Sequence, residues 1–188
     1  MKSFNTTFST VRLTMNSFII ALVVSLLSIS AFATTTGQEK REIKSLSQHE
    51  ITGYLNGKGL GYAKAAELNQ FPGPRHVLDL AKELGLSENQ VQQSQAIFDA
   101  MKLHAIAYGE QFVEKEHKLN ELFANSSIDS VKLDVLLGDL GILEAKIRFV
   151  HLNAHLEQKA WLSSEQIQLY DQLRGYNSTA THNHMHKH

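Results

Sequence analysis

From Val91 onward apolar side chains return every seven residues: Val91, Phe98, Ala105, Phe112 and Leu119 form one row. Ser94, Met101, Tyr108, Lys115 and Leu122 form a companion row, apolar at three of its five positions. That spacing predicts a long helix from Ser87 to about Phe123, roughly 54 Å in length, packed at a shallow angle against a neighbour. Asn125-Ser126-Ser127 interrupts the pattern. Beyond it Leu133, Leu140, Ile147, Ala154 and Trp161 make one row and Leu136, Leu143 and Val150 another. A break this short makes the two helices antiparallel neighbours. No strand-like alternation and no long internal repeat occurs. The expected fold is all-α, a long antiparallel helical hairpin with short flanking helices.

Two copies of one mark punctuate the hairpin, Leu86-Ser87-Glu88-Asn89-Gln90 and Leu162-Ser163-Ser164-Glu165-Gln166. A serine three residues before a glutamine is the capping-box spacing: the hydroxyl accepts a first-turn N–H and the amide reaches back to the cap. Each mark therefore starts a helix, the second ending near Gly175. Ser47 with Glu50 has the same spacing and predicts a short helix through Ile51 and Leu55. Gly57, Gly59 and Gly61 follow, then a short helical stretch from Tyr62 to Leu68. Phe71-Pro72-Gly73-Pro74 reads as a turn, because the prolines fix φ and Gly73 permits reversal. A third short helix is expected over Arg75–Leu84, with Gly85 placed to end it.

The first 33 residues contain no acidic side chain. Lys2 and Arg12 precede an apolar run from Phe18 to Leu27, and Ala31-Phe32-Ala33 has the small-x-small pattern of a cleavage site. Residues 1–33 are thus expected to be a secretory signal, cut after Ala33, with Met15 an alternative start. The competing reading is an uncleaved anchor, but 18 residues from Asn16 to Ala33 with an Asn and four serines fall short of the roughly 20 apolar residues a span needs. Residues 34–74 are then a linker with short helices, 75–175 the hairpin domain and 176–188 a tail. Taking Lys2 and Arg12 from the 18 basic residues leaves 16 against 19 acidic ones, a formal charge of −3 after cleavage. That balance excludes nucleic acid as an expected partner, since no basic stripe is present to neutralise phosphates. There is no cysteine, which removes thiol chemistry and thiolate metal sites.

An exported, cysteine-free, all-helical chain with a Leu-Ser-x-x-Gln mark at each end of a long hairpin resembles the Spy/CpxP-like periplasmic family. Its members carry paired Leu-Thr-x-x-Gln motifs and include envelope-stress chaperones, zinc-resistance-associated proteins and cobalt–nickel sensors. The resemblance covers about residues 75–175, with serine in place of threonine in both marks, which keeps the capping hydroxyl. It implies a hooked four-helix hairpin that dimerises and presents a concave face. It assigns no role to Tyr62–Pro74.

Histidine supplies the candidate chemistry. Of ten histidines, four lie in His182-Asn183-His184-Met185-His186-Lys187-His188. In an extended chain that alternation puts the imidazoles of His182, His184, His186 and His188 on one side, a tract suited to Zn, Cu or Ni without enforced geometry. His151 and His155 are one helical turn apart, the spacing two imidazoles need to share a metal. With the hairpin turn centred near residue 126, His155 is level with Asp99 and His151 lies within about two residues of His104. These four side chains are the expected ordered site, and the alternative is that the histidines flank the seam as partly exposed residues. Glu144 and Glu110 fall in a layer nearer the turn.

Other patterns carry less. Gly57-Lys58-Gly59-Leu60-Gly61 looks like a phosphate loop, but follows no strand and lacks the Gly-Lys-Ser/Thr ending, so it is expected to be a flexible junction. Phe98, Tyr108, Phe112, Phe123 and Trp161 are expected in the core or a dimer seam. No nucleophile motif and no His-Glu-x-x-His occurs, so an enzyme is not expected. The leading expectation is a periplasmic, metal-binding, metal-responsive accessory or sensor protein, a homodimer answering to a divalent ion (Zn, Cu, Ni or Co), with a membrane sensor protein as an expected partner. The alternative is a metal-independent holdase for unfolded clients.

Overall fold

The computed structural model describes residues 37–176. The expected signal segment and the histidine-rich tail, with His182, His184, His186 and His188, lie outside them. The chain divides into two units, Met1–Lys44 and Ser45–His188. Of the first, the described part holds one turn of 3-10 helix at Gln38–Lys40.

The second unit is all-α among its described residues. Three short helices, α1 (Gln48–Leu55), α2 (Lys64–Glu67) and α3 (Pro74–Asp79), precede the long α4 (Glu88–Ala124) and α5 (Ser130–Ala160), and α6 (Ser164–Leu173) closes it. The most extensive packing is between α4 and α5, the two arms of an antiparallel hairpin. Lys115 Nζ meets Asp139 Oδ2 across the arms at 2.7 Å. That ion pair sits within one position of the register expected for a turn near residue 126. The heptad rows supply much of the seam: Ala105 and Phe112 from α4 and Leu140, Leu143, Ile147 and Ala154 from α5 are buried.

Three capping boxes form as the Ser-x-x-Glu/Gln spacing predicts, at Ser47/Glu50, Ser87/Gln90 and Ser163/Gln166. The second and third also find each other. Gln90 Nε2 donates to Gln166 Oε1 at 2.8 Å and to the Trp161 carbonyl at 2.8 Å, while Gln166 Nε2 reaches the Leu84 carbonyl at 3.3 Å. The duplicated mark therefore joins the start of α4 to the start of α6, besides capping each. Below this junction Val77, Leu84 and Tyr170 form a small buried cluster, lapped by Leu80, Leu86, Leu162 and Leu169. Because the two amides share one network, Gln90→Ala and Gln166→Ala should be non-additive. A double-mutant cycle by urea unfolding is expected to give a coupling of about 1 kcal/mol. Simple additivity would mean the two amides act only as separate caps.

Several boundaries differ from expectation. The helix expected over Arg75–Leu84 ends at Asp79, where Leu80 leaves the helical region (φ −108°, ψ 17°) and the chain continues as turns. The stretch expected from Tyr62 to Leu68 reduces to the single turn of α2, framed by left-handed Leu60, Gly61 and Gln70. Of the aromatic side chains expected in the core or a dimer seam, Phe123 and Trp161 are outside the core of the single chain, at 56% and 40% exposure, because both sit at helix ends.

The short helices fold back over the hairpin. α1 packs on α4, α3 on both long arms and α2 on α5. Gly109 sets the first contact: a Cβ there would lie 2.4 Å from the Tyr54 carbonyl oxygen, so only glycine lets α1 rest on α4. Next to it the Tyr54 and Phe112 rings meet with centroids 4.8 Å apart. Tyr54 and Tyr62 share a hydroxyl–hydroxyl bond of 3.0 Å, and Tyr62 donates to Glu144 Oε1 of α5 at 3.3 Å.

Candidate functional site

The folded-back segments enclose a cavity of about 540 Å³ against the hairpin, walled by the Gly57–Gly61 loop, Gly73, Pro74 and Phe98, with His151 and His155 on its α5 side. Both histidines are buried, at 4% and 7% exposure. The alternative, that the histidines flank the seam as partly exposed residues, is corrected for these two: loops within residues 57–74 cover this stretch of α5.

His155 Nδ1 lies 2.7 Å from the Phe71 carbonyl oxygen. A carbonyl can only accept, so Nδ1 carries the hydrogen and Nε2 of the neutral ring keeps its lone pair. That edge faces Gly73, where a Cβ would stand 3.0 Å from Nε2. Pro-Gly-Pro thus brings its backbone onto the imidazole because the middle residue has no side chain. His151 turns its Nδ1 edge toward Gly59, 3.8 Å from where a Cβ would be, while its Nε2 is buried with no hydrogen-bond partner. Burial first, and the neighbouring His155 second, lower the His151 pKa to about 4. At neutral pH this ring is uncharged, the form that binds a metal or hydrogen-bonds in both senses.

Beside the cavity, Glu67 at the end of α2 gathers three elements. Its Oε1 receives the hydroxyls of Tyr170, in a short bond, and of Tyr176 at 2.9 Å, with Arg174 Nε at 3.5 Å. Its Oε2 stands 3.6 Å from His155 Nδ1. Glu67 Oε2 is therefore near the Nδ1 side of His155 but makes no hydrogen bond to it, and the Phe71 carbonyl holds the ring. Burial and the adjacent carboxylate both push the Tyr170 hydroxyl above its usual range, keeping it a donor.

Of the four side chains expected to share one layer, two come together. His104 is exposed and lines a different groove, formed by α4 and α5 alone, where its ring stacks on Tyr108 at 6.3 Å. Asp99 is exposed and accepts from Gln95 Nε2 at 2.9 Å. Level along a hairpin does not set direction around a helix: His104 opens onto the α4–α5 groove and His151 onto the cavity beside Gly59. Among the described residues no three His, Cys, Asp or Glu side chains form a group able to hold a metal ion. Of the four, His151 and His155 are buried and line one cavity. Glu67 and Tyr170 were not singled out by the sequence. A lone carboxylate between Gly61 and Pro72 was the only available signal, and its partners lie about a hundred residues away.

The chain matches no protein-family model, no curated protein and no solved structure.

Proposed function

We propose that the protein is a metal-responsive accessory protein of the cell envelope, of the Spy/CpxP-like kind, exported to the periplasm and taking a divalent ion on His151 and His155. The observation that carries this reading is the pair itself: two buried imidazoles one turn apart on a cavity wall, one fixed through Nδ1 by a backbone carbonyl and the other lacking a partner at Nε2. A histidine locked through one nitrogen presents the other in a set direction, as metal-bound histidines do. Two protein ligands leave the remaining positions of a tetrahedral ion to water or a small ligand. His104 and Asp99 have no part in this site. The tail histidines form a second, looser site in the same proposal.

Isothermal titration with Zn, Cu, Ni and Co tests it. Deleting residues 181–188 should lower the stoichiometry and leave one site, which His151→Ala with His155→Ala removes. That site should raise the melting temperature, since an ion bound only by the folded chain stabilises it by mass action. A tail-deleted protein that binds no ion and melts identically with and without it would sink the reading.

A second reading, a metal-independent holdase, draws on a different surface. The groove lined by α4 and α5 alone encloses about 740 Å³, and nearby Leu103, Ile142 and Phe149 are 68%, 57% and 64% exposed. Exposed apolar side chains such as Ile142 and Phe149 on the wall of this groove suit a second copy of the chain or an unfolded client. Sedimentation at micromolar concentration should give twice the monomer mass in the dimer reading, and Phe149→Ser should lower it. Suppression of client aggregation without added metal, lost in the same variant, is the result that would favour the holdase.

A further inference from the structure

The cavity in front of His151 and His155 is ringed by cations. Lys58, Lys64, Lys102 and Arg75 line it, and Glu67 is the only carboxylate among its lining residues. Arg75 is neutralised by Asp79 at 3.1 Å. None of the three lysines has a carboxylate partner among the described residues. Glu67 Oε1 is engaged by two tyrosine hydroxyls and Arg174, while its Oε2 is buried without a hydrogen-bond partner, one carboxylate against three lysines. Three ammonium groups around one concave space raise its positive potential and concentrate anions there.

Between the cations the wall is apolar, with Leu60, Pro74, Phe98 and Met101 among its members. A volume of about 540 Å³ lies within the ~300–1,000 Å³ typical of small-molecule sites. At the α5 wall sits His151, nine-tenths buried, with its Nε2 unpartnered and its other edge toward Gly59. An apolar enclosure lined by three lysines, with two imidazoles on one wall, fits a singly charged anion with a hydrocarbon body. It fits inorganic phosphate poorly, because Phe98 and Met101 offer that dianion no donors in exchange for its water.

We propose that this cavity binds a small organic carboxylate, its apolar body against Phe98 and Met101 and its charge toward Lys58, Lys64 and Lys102. The site does not require the metal ion, so it goes beyond the reading above. Gly59 keeps it open: its Cβ position is in ordinary contact distance of the His151 ring, so a larger side chain would grow into the space.

The test uses the full chain, freed of metal by chelator and dialysis, and three probes with one ring system: 1-naphthoate, neutral 1-naphthalenemethanol and cationic 1-naphthylmethylamine. Calorimetry should show naphthoate binding at least tenfold tighter than the alcohol, with no measurable binding of the amine. Raising the salt to 0.5 M should weaken the naphthoate. Lys58→Ala, Lys64→Ala and Lys102→Ala combined should lower its affinity tenfold or more without changing the melting temperature, as all three side chains are exposed. Gly59→Leu should abolish binding, whereas Phe149→Ser, in the other groove, should leave it intact. Equal binding of naphthoate and alcohol, indifference to the lysine triple, loss in Phe149→Ser, or binding only after metal is added would each overturn the proposal. Metal titrations run beside these keep the two readings apart: an ion without naphthoate binding sinks this one alone, and naphthoate without an ion sinks only the metal reading.

Discussion

Gly109→Ala should destabilise the protein by about 3 kcal/mol, the scale of overpacking against atoms that cannot yield. The added methyl would stand 2.4 Å from the Tyr54 carbonyl oxygen and 2.8 Å from its carbon, and both are backbone. Helix α1 must therefore lift from α4, separating Tyr54 from Phe112 and loosening the Tyr54–Tyr62–Glu144 chain that holds the Gly57–Gly61 loop. Helix propensity alone predicts the opposite sign, since alanine is favoured over glycine in a helix interior by roughly 1 kcal/mol. Gly138 in α5 is the control: a Cβ there meets nothing within 4 Å, so Gly138→Ala should stabilise by about 0.5–1 kcal/mol. Urea unfolding of both variants decides the matter. Two changes of the same sign would mean that α1 is not seated on Gly109.

Acidifying the metal-free protein should remove about 2 kcal/mol of stability between pH 7 and pH 4.5 through His151 alone. In the unfolded chain this ring titrates near 6.5, and in the fold near 4. Between those values the unfolded state holds the extra proton, so stability rises with pH across the interval and is fully present above about 6.5. Below about 4 both states are protonated and the contribution is gone. The cause is burial of an imidazole that cannot keep its charge away from water, with His155 one turn on adding repulsion. His151→Phe, of similar shape and without a titrating group, should lose about 2 kcal/mol less than the parent chain over the same pH range. Parallel curves for parent and variant would place the His151 ring in solvent.

Much of the hairpin was legible in the sequence because a heptad repeat is a local property of the chain. Ala105, Phe112, Leu140, Leu143, Ile147 and Ala154 were read from spacing and are buried. The Ser-x-x-Gln marks were read as caps and are caps. That Gln90 and Gln166 bond to one another was not legible, since they are 76 residues apart and each spacing is complete as a cap alone. The site was half legible. The i, i+4 spacing of His151 and His155 holds by helix geometry, but their burial depends on segments some eighty residues earlier. Phe71 supplies the carbonyl and Gly73 the close approach, and neither leaves a periodic trace. His104 failed for a simpler reason. Its neighbour Ala105 faces the seam, so His104 is turned about 100° away and opens onto the other groove.

In the proposed function the buried histidine pair is the ordered ion site. The most direct measurement is an anomalous-difference map at the zinc edge from crystals of the full chain grown with zinc. A peak is expected at about 2.0–2.1 Å from one nitrogen each of His151 and His155. Zinc found only at His104, at Asp99 or along His182–His188, with the cavity beside Gly59 and Gly73 carrying no peak, would contradict it.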